Sequence, residues 1–218
     1  MGSLTLLGAG YQPVVGGGGG STVTWNPATT VSPIVLSNGN LTASITLPDN
    51  NNYTATATGG SVAASQKKYW EILGNTIDNH SVAIGVGFVD GSFVASSGNF
   101  LGSDGHSLGY YNVAGDIYTG GSSPGTYGAW FTNGDVIGLA VDTVNSKIWV
   151  RVNSGDWNFD VIGNQNPATN TGGVSFSLTA PLYPALVFRA AASNVYQLTA
   201  RFTSASWTQT APSGFTQL

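Results

Sequence analysis

Cysteine is absent and charge is scarce, with Lys, Arg, Asp and Glu making up 7% of the 218 residues against about 25% in ordinary soluble domains. The first absence excludes disulfides, thiolate nucleophiles and Cys-ligated zinc, so stability has to come from packing and strand pairing; it says nothing about the compartment. Six Lys and Arg against ten Asp and Glu leave a net charge of -4. That balance offers no cationic stripe to neutralise a phosphate backbone and excludes nucleic acid as a partner. No run approaches the roughly 18 apolar residues that span a bilayer, which excludes membrane insertion by a helix. Met1 to Val15 is apolar but has no Lys or Arg, and Gly8, Gly10 and Pro13 interrupt it. The expectation is therefore no standard signal peptide, and export, if it occurs, inside something already assembled.

What is present is glycine, 31 of them, with Ser, Thr and Asn supplying the polar surface that charge does not. Gly16 to Gly20 form one unbroken run, too costly in backbone entropy to fix in regular structure, and read as a flexible tether. Residues 1–24 are accordingly an apolar N-terminal arm and tether, and residues 25–218 a single domain. Leu4, Leu6, Leu7, Tyr11, Val14 and Val15 make the arm more apolar than a free tail. Two readings stay open: an extra strand packed on the domain or a disordered terminus, and an attachment arm docking into a partner protein.

From Trp25 onward, short β-branched and aromatic runs alternate with Gly, Asn, Asp and Ser clusters about every 8 to 12 residues, the pattern of a sandwich or barrel. Val31–Leu36 and Leu41–Leu47 flank Asn38-Gly39, a pair that supplies the positive φ angles of a tight hairpin. Thr54–Thr58 alternates strictly. Lys68–Leu73 and Ser81–Val89 read as core strands, with Gly85 and Gly87 allowing a bulge or close inter-sheet approach. Ser107–Tyr111, Asp116–Thr119, Val136–Val141, Lys147–Val152, Leu182–Phe188, Val195–Phe202 and a closing Pro212–Phe215 continue the pattern. Asn158–Gly173 is a long polar loop, and long loops in compact domains are usually functional or mobile.

Several of these pieces, in this order, resemble the SPRY domain, the core of the B30.2 family. They are Tyr69-Trp-Glu-Ile72, Val82–Asp90, Leu108-Gly-Tyr-Tyr111, Gly115–Thr119, Asn133–Asp142, Lys147–Asn153, Asn166–Gly173 and Pro181–Ala185. Each alone is weak, but their collinear spacing over residues 50–215 is specific. The resemblance implies an all-β fold, two antiparallel sheets in a bent concanavalin-like jelly-roll sandwich, with loops at one edge recognising a peptide or protein. It also implies an interaction module without catalytic activity or cofactor. The Gly, Ser, Thr and Asn richness resembles bacterial and bacteriophage versions, so the signalling partners of eukaryotic members do not carry over.

Candidate chemistry is thin. His80 and His106 are the only imidazoles, and Asp104-Gly-His106-Ser107 brings together the residue types of a hydrolytic triad but lacks a nucleophile elbow. Glu71, the only glutamate, sits in a core strand and is expected either to accept hydrogen bonds inside the sheet or to lie at its face. Asp49–Asn52 and Asp156–Asp160 carry oxygens without calcium-loop spacing, so no metal site is expected. Trp70, Trp149 and Phe188 lie in apolar strands and are expected in the core. Phe93, Phe100, Tyr118, Tyr127, Trp130 and Trp157 lie in or beside Gly, Ser and Asn-rich loops, where an aromatic either anchors the loop or stacks on a ligand. The expected function is a non-enzymatic bacteriophage virion protein, of capsid-decoration, head-fibre or tail-tip type. It would be held to other virion proteins by the arm, homo-oligomeric, and able to meet a host surface protein or glycan. The alternative is a carbohydrate- or protein-binding module of a secreted bacterial protein.

Overall fold

The computed structural model describes residues 23–77, 83–160, 163–189 and 195–218. The arm residues Leu4, Leu6, Leu7, Tyr11, Val14 and Val15, the glycine run and His80 lie outside them. Two seven-stranded antiparallel sheets face each other. Across the first run β1 (Thr24–Trp25), β4 (Tyr53–Thr58), β13 (Tyr183–Phe188), β6 (Gly85–Val89), β7 (Ser107–Tyr111), β8 (Asp116–Thr119) and β9 (Ser122–Thr126). Across the second run β12 (Val174–Ser175), β11 (Lys147–Val152), β10 (Val136–Asp142), β5 (Lys67–Thr76), β14 (Val195–Arg201), β3 (Thr42–Thr46) and β2 (Val35–Ser37). The all-β sandwich expected from the sequence is the fold observed, with both sheets open.

Strand alternation sorts side chains between two faces. Trp70 and Ile72 of β5, Ile137, Leu139 and Val141 of β10, Val86 and Phe88 of β6, and Leu108 and Tyr110 of β7 point between the sheets into one buried cluster. Each such side chain contributes roughly 1.5–3 kcal/mol by leaving water. The outer faces are covered as well. Leu101, Phe93 and Phe100, from the loop joining β6 to β7, pack on Val89, Tyr111, Ala185 and Val187 of the first sheet. Trp207, Ala211 and Phe215, from the segment after β14, pack on Tyr69, Ala140 and Trp149 of the second. Central strands covered on both sides have no polar face, which is why β6, β7 and β10 are buried at every position.

The hairpin at Asn38-Gly39 is present, with both residues at positive φ and Leu41 N–H bonded to the Asn38 carbonyl. Its first strand is shorter than expected: Ile34 N–H bonds the Val31 carbonyl in a turn, and pairing starts at Val35. Pro212–Phe215 is a turn, not a strand, closed by Phe215 N–H to the Pro212 carbonyl with Gly214 at φ +84°. Gly85 and Gly87 face away from the inter-sheet core. A Cβ on Gly85 would sit 2.7 Å from the Tyr111 ring and one on Gly87 2.0 Å from the Leu108 carbonyl oxygen. They make room on the outer face, not between the sheets. The edge strand β9, Ser-Ser-Pro-Gly-Thr, has no apolar pattern to announce it; its proline fits an edge that must not recruit another strand.

Candidate functional site

The loop spanning residues 90–106 is fixed at its base and its middle. Asp90 N–H bonds the His106 carbonyl at 2.9 Å, Ser92 N–H bonds Asp90 Oδ1 at 2.8 Å, and His106 Nδ1 lies 3.1 Å from Asp90 Oδ2. This contact raises the His106 pKa above its ordinary value, chiefly through the hydrogen bond to Asp90 and then through its charge. Further along, the loop carbonyls of Ser97 and Gly98 accept from the backbone and side-chain amides of Asn52 at 3.0 and 3.2 Å, and the Leu101 carbonyl accepts from Tyr111 Oη at 2.8 Å. Burial pushes the Tyr111 hydroxyl pKa up, so it stays a neutral donor.

Held in this way, the loop presents Phe100 edge-on to Tyr118 at 5.9 Å and to Tyr111 at 6.4 Å, while Tyr111 and Tyr118 meet edge-on at 5.5 Å. The three rings wall a cleft of about 210 Å³, completed by Ala83 and Val113 and, on its polar side, by Asn52, Asp116 and Arg189. Arg189 is exposed at the end of β13. Among the described residues the ion pairs are Lys67–Asp142, His106–Asp90 and Arg201–Glu71, so its guanidinium faces the cleft without a carboxylate partner. Asp116 accepts from Thr126 Oγ1 at 2.8 Å. Asn52 is buried, and its Oδ1 has no hydrogen-bond donor. An apolar aromatic wall with one cation, one carboxylate and one buried amide is the kind of lining that small-molecule and peptide pockets carry.

The triad-like residues of the sequence are held in other roles. Ser107 is fully buried; its hydroxyl donates to Asp104 Oδ1 at 2.8 Å and accepts from Gly102 N–H at 2.8 Å, while the His106 ring is turned to Asp90. Asp49 closes an Asx turn, accepting from Asn51 and from Tyr53 Oη. Among the described residues no three His, Asp or Glu side chains group as a metal site.

Of the loop aromatics singled out from the sequence, Phe100 and Tyr118 share the cleft. Phe93 lies on the other flank of the same loop, lining a second depression of about 280 Å³ with Val89, Asp90 and Tyr183. Tyr127 packs half-buried against the main core and donates to the Pro124 carbonyl at 3.3 Å. Trp130 is 56% exposed. Trp157 lies on the second sheet, edge-on to Tyr69 with the Arg151 guanidinium 4.4 Å above its ring. Tyr111, Asn52, Asp116 and Arg189 escaped the sequence reading. Alternation does put Tyr111 opposite the core-facing Tyr110, but nothing local ties Asn52 or Arg189 to the same spot.

The fold is a two-sheet β-sandwich whose loops fold back on its sheets. The SPRY domain family model matches residues 67–200, and the chain belongs to that family. It is similar to the SPRY domain of human HERC1, with 16% identity and a TM-score of 0.61, covering 81% of this chain and 96% of that one. A second human SPRY domain aligns with 16% identity and a TM-score of 0.54, covering 77% and 94%. Among curated proteins none matches. SPRY domains are in general protein-binding modules without enzymatic activity.

Proposed function

We propose that this chain is a non-enzymatic recognition module that takes a peptide segment of a partner protein into the Phe100–Tyr111–Tyr118 cleft. One observation carries the reading: three mutually edge-on rings beside an Arg189 guanidinium that has no carboxylate partner among the described residues. The rings offer apolar contact area at low entropic expense, and Arg189 offers a charge-assisted bond to an acidic side chain. Tyr118→Ala and Arg189→Ala each test it. Peptides selected from a random displayed library on the intact chain are expected to weaken at least about tenfold against either variant, a loss of about 1.4 kcal/mol. Selected peptides that bind both variants at full strength place recognition elsewhere.

The particle to which the module belongs is inferred from the N-terminal arm. An apolar segment followed by five glycines, on a chain with 7% charged residues, fits a bacteriophage virion protein docked to other virion proteins by Leu4, Leu6, Leu7, Tyr11, Val14 and Val15. Several copies would then present the sandwich outward to a host surface protein or glycan.

A further inference from the structure

Phe159 is 60% exposed and stands at φ +54°, directly after Asn158 at φ +50°. A single exposed apolar side chain is ordinary. Two consecutive left-handed residues, the second carrying a bulky side chain, are not, because Cβ crowds the backbone there. The neighbours show what imposes this conformation. Asn158 is buried; its Oδ1 accepts from Val150 N–H at 2.9 Å and its Nδ2 donates to Gln165 Oε1 at 2.9 Å. Trp157 lies under the Arg151 guanidinium at 4.4 Å, and on the other side Asp160 Oδ2 accepts from Asn164 N–H at 3.1 Å. With both neighbours tied down, the phenyl ring faces outward on a fixed base. Strain that the surroundings over-determine is typical of contact sites, and such preorganisation lowers the entropic penalty of binding.

The residues beside Phe159 narrow the partner. Asp156 and Asp160 flank it, so the segment offers one ring between carboxylates. The surface that complements it is an aromatic pocket with a cation at its rim. This chain has such a pocket in the Phe100–Tyr111–Tyr118 cleft, where Arg189 is exposed and has no carboxylate partner among the described residues. Asp116, on the same polar side, is engaged by Thr126 Oγ1 and forms no ion pair with Arg189. The cleft's volume of about 210 Å³ exceeds the roughly 150 Å³ that holds a benzene-sized ring.

We propose that the occupant of the aromatic cleft is the Asp156–Asp160 segment of a second copy of this chain, with Phe159 against the three rings and a flanking carboxylate on Arg189. The inference rests on the cleft reading above and adds the partner. Phe159 is not part of its own chain's cleft, whose rings come from the first sheet and its covering loop, whereas Phe159 follows β11 of the second. The contact therefore joins two different patches head to tail, and copies either close into a ring or run on as a chain.

Sedimentation velocity of the full chain over a concentration series tests this. The parent is expected to associate as concentration rises, and Phe159→Ala and Tyr118→Ala should each weaken association at least about tenfold. Mixed in equal amounts, the two variants should pair at parental strength and stop at the dimer, because one supplies the intact cleft and the other the intact Phe159. Thermal unfolding checks that each variant is folded; where Tyr118→Ala is not, Arg189→Ala, at an exposed side chain, takes its place. A parent that stays monomeric, association that either variant retains in full, or variants that do not pair when mixed overturns the proposal. Library-selected peptides separate this contact from the reading beneath it. If they lose binding in Tyr118→Ala while copies of the chain do not associate, the cleft stands and the second copy is rejected. If they bind Tyr118→Ala at full strength, the cleft reading itself fails and takes this contact with it.

Discussion

Glu71 is fully buried on β5, where it ties the second sheet to the C-terminal segment. It accepts from Tyr69 Oη at 3.0 Å, from the N–H groups of Thr208 and Gln209, and pairs with Arg201. Replacing it by leucine removes the acceptor and leaves Arg201 and two backbone donors facing a hydrocarbon. The expected loss in urea unfolding is about 3–5 kcal/mol. Glu71→Gln, which keeps one acceptor, should lose about 1–3 kcal/mol. A leucine variant as stable as the parent would mean that the C-terminal segment is held by its apolar contacts alone. The sequence already placed this glutamate in a core strand, as an acceptor inside the sheet or at its face, because a lone carboxylate among Tyr, Trp and Ile has to be satisfied. What it accepts from was not legible, since Thr208 and Gln209 lie more than a hundred residues further along the chain.

The covering loop of residues 90–106 behaves as an element in its own right, latched by His106 to Asp90. Asp104 is the other charged group near that imidazole; its carboxylate accepts from the His106 backbone N–H at 3.0 Å and from Ser107 Oγ. Because the folded protein raises the His106 pKa above its ordinary 6.5, the latch is complete below that value. It is lost as pH rises through the raised one. Amide exchange in residues 90–106, corrected for the intrinsic pH dependence, should therefore speed up above pH 6.5. In His106→Gln the step should vanish. A step that survives in the variant would assign the pH response to another group. Strands were easier to read than such loops. Lys147–Val152 and Asp116–Thr119 alternate or follow turn residues clearly enough to give their own ends. The loop's route over the sheet depends instead on Asn52, which meets Ser97 and Gly98 across 45 residues or more of chain.

At the level of the whole molecule, covering both outer faces explains a sequence that is 41% hydrophobic yet has no long apolar run. Among the described residues, side chains are buried in three places, between the sheets, under the β6–β7 loop and under the C-terminal segment. Collinear motifs made the sandwich and its family legible from sequence; the aromatic cleft was half legible, because Phe100 and Tyr118 stand in loop context while Tyr111, Asn52, Asp116 and Arg189 converge only in three dimensions. On the virion reading, deleting residues 1–20, which stops short of the buried Val23 and of β1, should leave unfolding of the domain unchanged and abolish incorporation into particles, checked by mass spectrometry of purified particles. Incorporation of the shortened chain would remove the arm from the account. The central claim is that the aromatic cleft is the recognition site, and the most direct measurement is a titration of the isotopically labelled full chain with a selected peptide, followed residue by residue by NMR. The account predicts the largest shifts at Asn52, Phe100, Tyr111, Tyr118 and Arg189; shifts confined to the second sheet, with those five unmoved at saturation, would contradict it.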